Sequence, residues 1–182
     1  ERLAAQRILA AHLAVGDSGK RWADIDLDLT GATLIDFDVH DCRVREAKFA
    51  DATFIGDADF LGTVFDGNAT FDRAQFTGQA TFAHTVFAKG AWFVKAWFTG
   101  LGNFRFASCR HIRFEGVRVD GLFACEDAKL GMAWFGSACF FQAGNFTNVS
   151  FDDGKDDPYR GAARFQEAVV LVHKNDTPRW PP

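Results

Sequence analysis

The chain has one tyrosine, one methionine and four prolines. Its four cysteines, Cys42, Cys109, Cys125 and Cys139, form no C-x-x-C pair and have no histidine at metal-ligand spacing. That argues against a zinc or disulfide framework and for reduced, packed thiols. No stretch approaches the roughly 18 apolar residues of a membrane span, and no signal peptide is visible. The expected location is therefore the cytoplasm. The chain starts at Glu1 with its only methionine at 132, as a piece of a longer protein would. Catalytic signatures are missing too: His12, His40, His84, His111 and His173 lie in unrelated segments, and none stands in a nucleophile motif. Neither an enzyme activity nor a cofactor or small-molecule substrate is expected.

What the chain has instead is phenylalanine, 21 residues of it. A mixed globular core shares its filling among Leu, Ile, Val and Met, so one side-chain shape is being selected repeatedly. In FDGNATFDRAQFTGQATFAHTVF, phenylalanine falls at 65, 71, 76, 82 and 87, with gaps of six, five, six and five. A straight strand alternates sides with period two, so a step of five would send successive rings to opposite faces. A helix would smear them around its cylinder. The chain must turn once per repeat. Most large residues also have a small one two positions earlier, as in Ala52-Thr53-Phe54 and Ala80-Thr81-Phe82. On a short extended segment these two point inward and the residue between them points out. The six-residue gaps fall at alternate corners, so an even-sided coil stacks bulge on bulge and keeps neighbouring backbones in register. Glycines in stretches such as FTGQA are read as corner residues that supply unusual backbone angles.

This A-x-F-x-x unit resembles the pentapeptide-repeat family over residues 27 to 151, with two further units at Ala163-Arg164-Phe165 and Ala168-Val169-Val170. The resemblance implies an all-β fold, a right-handed quadrilateral β-helix, here in a Phe-centred version. Taking every fourth centre gives four columns: Leu29, Phe49, Phe71, Phe93, Phe114, Phe135; Leu34, Phe54, Phe76, Phe98, Val119, Phe140; Val39, Phe60, Phe82, Phe104, Cys125, Phe146; and Val44, Phe65, Phe87, Cys109, Leu130, Phe151. Six coils at roughly 4.8 Å each would stand about 29 Å tall.

The expected organisation is a helix and lead-in over 1–23, the β-helix over 24–172 with a loop near 152–162, and a tail over 173–182. RLAAQRILAAHL, residues 2 to 13, places Leu3, Ile8, Leu9 and Leu13 near one side of an amphipathic helix that would lid the first coil or bind a partner. His40-Asp41-Cys42 resembles a metal cluster, but the register turns Cys42 inward and His40 outward.

Function is left to the outward positions. Stacking them places Trp92, Arg113 and Trp134 on one face, with Arg113 between the indoles, and Trp97, Arg118 and Cys139 on the next. Trp92, Trp97, Arg113, Arg118 and Trp134 are the candidate partner-binding residues, because exposed Trp beside Arg is the composition of binding hot spots. Charge is banded: residues 24–72 are acidic, 73–118 basic and 119–157 acidic again. The first reading is a non-catalytic scaffold that presents the Trp/Arg patch to an unidentified protein partner. The alternative comes from the resemblance: some family members mimic DNA and bind gyrase, giving drug or self-toxin resistance. The basic belt weighs against mimicry, and seven dispersed cations make a weak footprint for direct nucleic-acid binding.

Overall fold

The computed structural model describes residues 2–13, 24–151 and 168–170. The lead-in over 14–23, the expected loop near 152–162, the Phe165 unit and the 173–182 tail lie outside the described residues. Apart from one helix, α1 (Arg2–Leu13), the regular structure is all β. Short parallel strands stack into a four-sided solenoid of about six coils. Strand partners give the repeat directly: Phe54 lies opposite Phe76, Phe76 opposite Phe98, Phe98 opposite Val119, and Val119 opposite Phe140. The backbone of Val169–Val170 pairs with Cys139–Phe140, so the chain rejoins the stack there.

Why the core selects phenylalanine follows from ring geometry. Within a column the rings stack nearly parallel at close to the strand spacing, 4.6 Å for both Phe54–Phe76 and Phe76–Phe98 and 4.7 Å for Phe71–Phe93. Between columns they meet edge to face, at 87° for Phe60–Phe71 and 83° for Phe82–Phe93. A flat ring satisfies both of the arrangements its quadrupole favours, one along the axis and one across it. A branched aliphatic could fill the volume without the stacking. Each buried ring contributes roughly 1.5–3 kcal/mol by area alone.

Column three departs from the expected order. Cys125 is buried there, but the ring against Phe104 and Phe146 belongs to Phe123, two residues earlier. Coil one does the same, with Phe37 against Phe60 beside a smaller Val39. In both, the large and small members of the inward pair have exchanged places and the shaft volume is kept. Column four uses Thr63 and Thr85 in its small positions. Each is fully buried, and its hydroxyl donates to a carbonyl of the preceding coil, Val39 at 2.7 Å and Phe60 at 2.8 Å.

Corners alternate between two kinds. After columns one and three the chain makes a tight turn, as in Ala52 N–H to Phe49 O at 3.1 Å and Thr63 N–H to Phe60 O at 3.0 Å. The third residue of each has positive φ, Asp51 at 58° and Gly62 at 64°, the mark of a type II turn. After columns two and four the strand runs through the six-residue corner, as in Thr53–Asp59 and Val86–Trp92. Faces joined by wide corners therefore share a sheet, one of nine strands and one of eleven. Where a five-residue gap lies on a six-residue gap the register slips, between Ile35 and Phe37 and between Phe87 and Gly90.

The corner glycines divide: Gly56 has the expected positive φ, 76°, whereas the glycines stacked on it serve another purpose. Gly78 and Gly100 are outside the left-handed region; instead, a Cβ on Gly78 would lie 2.4 Å from Gly56 O, and one on Gly100 2.6 Å from Gly78 O. Close coil-to-coil approach requires them, while most of the positive φ falls on Asp, Arg, His and Lys. At the first coil α1 packs on the strand Thr33–Asp38. Leu13 is fully buried and Leu9 packs against the core, but Ile8 is 55% exposed, so the buried stripe is Gln6, Leu9 and Leu13 rather than one including Ile8. The side chain of Leu3 lies outside the described residues.

Candidate interaction surface

Strand register places Trp92, Arg113 and Trp134 on successive coils of face one, as the stacking of outward positions required. The expected sandwich does not form. Arg113 turns to Glu115, two residues along the same face, with Nε at 2.9 Å and Nη2 at 2.7 Å from Oε1. A carboxylate in reach offers charge-assisted bonds that outweigh a ring face in water. Trp92 folds back over Gly90, where an added Cβ would come within 2.9 Å of the indole, and both Trp92 and Trp134 are half-buried.

The cation–aromatic ladder is on face two. Trp97 and Arg118 are register partners, and the Arg118 guanidinium carbon lies 5.2 Å from the Trp97 ring centroid and 4.8 Å from that of Phe141. Asp120 ties the group together: Oδ1 accepts from Arg118 Nε at 2.7 Å and Oδ2 accepts from Trp97 Nε1 at 2.8 Å. These bonds, the one from Arg118 foremost, hold the Asp120 carboxyl below its usual range. The Trp97 N–H and the Arg118 Nε–H are thus satisfied by one carboxylate while apolar area stays in solvent, with Trp97 at 38%, Phe141 at 42% and Leu122, on the wide corner beyond, at 51% exposed. Cys139, the third residue of this stack, is half-buried.

Phe141 is absent from the candidates read from sequence, although the pair Phe140-Phe141 carried the signal. Adjacent residues on an extended segment face opposite ways, so one ring of the two has to be outside. A second exposed stack, His84 on Phe106 at 4.8 Å, sits on the tight turns of column three.

Charges pair across coils. Arg43 reaches Asp66 and Arg73 reaches Asp51, each through two bonds of 2.7 Å, and Arg105 reaches Glu126 at 2.7 Å. Lys48 meets Asp28 and Arg45 meets Asp26. The acidic first coils are in part neutralised by their own bases and by Arg73 of the next. Of the triplet His40-Asp41-Cys42, Cys42 is buried and His40 exposed, as the register demanded. The fold instead gathers Asp38, His40 and Asp59, whose ligand atoms lie within 4.8 Å of one another. Asp38 and Asp59 accept the backbone N–H two residues on, at 3.0 and 2.8 Å, and Asp28, Asn103 and Asn145 do the same elsewhere. These acids are turn-forming residues of a repeating kind. The Asp38 hydrogen bond raises the His40 pKa.

No protein-family model matches the chain, and no curated protein matches it. Among the described residues no helix is long and apolar enough to cross a membrane.

Proposed function

We propose that the chain is a non-catalytic scaffold of the pentapeptide-repeat kind whose stacked coils offer a rigid face to a protein partner. The observation that carries this reading is the face-two ladder. Trp97, Phe141 and Leu122 remain in solvent although the cation among them is already paired with Asp120 and stacked on two of the rings. A partner would gain apolar burial there around a cation already paired with Asp120, the composition of aromatic and Arg anchors in hot spots. The backbone beneath is hydrogen-bonded to coils on both sides, so little ordering entropy is lost on docking. Trp92, Arg113 and Trp134 extend the surface across the adjoining tight turn.

The test is capture from a source lysate on immobilised wild-type chain, a Trp97→Ala/Phe141→Ala variant and an Ile55→Ala control on the same face, each checked for native circular dichroism. Proteins held by wild type and control should be lost from the double variant. Recovery of the same proteins by all three would remove the ladder from the reading.

A further inference from the structure

The fold sorts basic residues that the sequence scatters. Of the seven arginines between 24 and 151, six hold a carboxylate: Arg43, Arg45, Arg73, Arg105, Arg113 and Arg118. Arg110 is the exception. It is exposed on the strand Ser108–Arg113 and, among the described residues, makes no ion pair. Lys129, on the following strand Lys129–Trp134, is exposed and unpaired in the same sense. Lys89, on the preceding strand Val86–Trp92, meets only Glu46, at 3.9 Å. These three neighbouring strands of the nine-stranded sheet carry four cations, the fourth being Arg113, and no acid. The first coils of the same sheet are the reverse: Asp26–Asp28 and Glu46–Lys48 hold three acids against one lysine. The two acids bonded to the basic face are both engaged, Glu115 by Arg113 and Glu46 by the backbone N–H of Asn68 at 2.9 Å. Strand register sets the spacing. Ser108 lies opposite Lys129, and Phe87, Cys109 and Leu130 form one inward row, so Lys129, Arg110 and Lys89 step across three successive coils, each about 5–8 Å from the next at the backbone. An indole borders them. Trp92 lays its ring over Gly90, whose register partner is His111, the neighbour of Arg110.

We propose that this face binds single-stranded nucleic acid, with phosphates on Lys89, Arg110 and Lys129 and a base on the Trp92 indole. Charge complementarity sets the sign of the ligand: unpaired cations on a face without acids of its own attract a row of anions. The indole selects the single strand, because a splayed base has a free ring to stack, whereas a duplex keeps its bases paired and would meet the cations alone. The underlying strands are hydrogen-bonded to coils on both sides, so the groups are held at fixed spacing before the ligand arrives. The site goes beyond the face-two ladder, which lies on the eleven-stranded sheet, and does not depend on it.

The test measures fluorescence anisotropy of a labelled oligothymidylate of about 12 nucleotides, within the range that single-strand-binding folds cover. It compares wild type, Arg110→Glu/Lys129→Glu, Trp92→Ala and Lys48→Glu/Lys95→Glu, the last making the same change of net charge away from the proposed site. Circular dichroism checks folding, and a duplex of equal length and polyglutamate serve as competitors. Wild type should bind with a Kd that rises about tenfold between about 50 and 150 mM salt, as three phosphate contacts at a slope of about −0.7 each require. At the lower salt, Arg110→Glu/Lys129→Glu should weaken binding about tenfold or more, Trp92→Ala about fivefold or more, and the Lys48/Lys95 control by less than about twofold. Duplex and polyglutamate should compete only at several times the concentration of unlabelled single strand. No binding by folded wild type at the lower salt, equal loss in the two charge-reversed variants, wild-type affinity in Trp92→Ala, or equal competition by duplex or polyglutamate would each overturn the proposal.

Discussion

At the scale of the residue, burial decides chemical behaviour, and the thiols show it most directly. Cys42, Cys109 and Cys125 sit inside the shaft, whereas Cys139 faces outward beside Arg118 and is half-buried. Loss of solvent pushes the thiol pKa of Cys42 and of Cys109 up to about 12, and that of Cys125 upward as well. The thiolate is the reactive form, so packing and ionisation both silence these three groups in the native state. Titration with a disulfide reagent near neutral pH should label one thiol promptly in native protein and all four in denaturant. Prompt native labelling of three or four would mean that the inward register assigned to Cys42, Cys109 and Cys125 is wrong.

At the scale of the element, the unit of design is the inward pair, small then large, and column three shows that its order is exchangeable. Phe123 and Cys125 sum to the same filling as an Ala–Phe pair elsewhere, with the ring contributed from the other position. Phe123→Ala should cost about 3–5 kcal/mol as a cavity, and Cys125→Phe alone about 1–3 kcal/mol by overpacking. The double substitution restores the usual order and should recover more than half of the summed loss, a coupling read from denaturant midpoints in a double-mutant cycle. Additive losses would show that the two sites do not share one volume. The same exchange marks how far the sequence could be read. The five-and-six beat of Phe49 to Phe104 specified the columns, the alternate corners and the inward thiols, because each depends only on which side of the chain a residue faces. It did not specify Phe37 and Phe123 as core rings, since facing inward says nothing about which of two inward residues reaches the centre. Nor did it specify the partner of Arg113. Stacking on Trp92 and pairing with Glu115 both suit the register, and the choice turns on reach and charge between side chains.

At the scale of the whole molecule, each coil touches only its neighbours, so stability is close to a sum of local coil and interface terms rather than one all-or-none quantity. The terms are unequal along the axis. From Phe49 to Phe104 every column centre is a stacked ring at most 1% exposed. Toward the far end the columns pass through Val119, Cys125 and Leu130, and in the last coil Phe146 and Phe151 are only partly buried. Opening should therefore begin at the 144–151 coil and move inward, since the free energy of local unfolding follows the apolar contacts that must be broken. Native-state hydrogen exchange should find the slowest amides between 49 and 104 and progressively faster ones toward 151. Phe146→Ala should speed exchange in the last coil and leave the centre unchanged, because the lost contacts are terminal. Phe93→Ala removes a ring stacked on both Phe71 and Phe114, so it should speed exchange in the coils on either side of it. If both variants instead lower protection evenly from 29 to 151, the rod unfolds as one cooperative unit and the nearest-neighbour description fails.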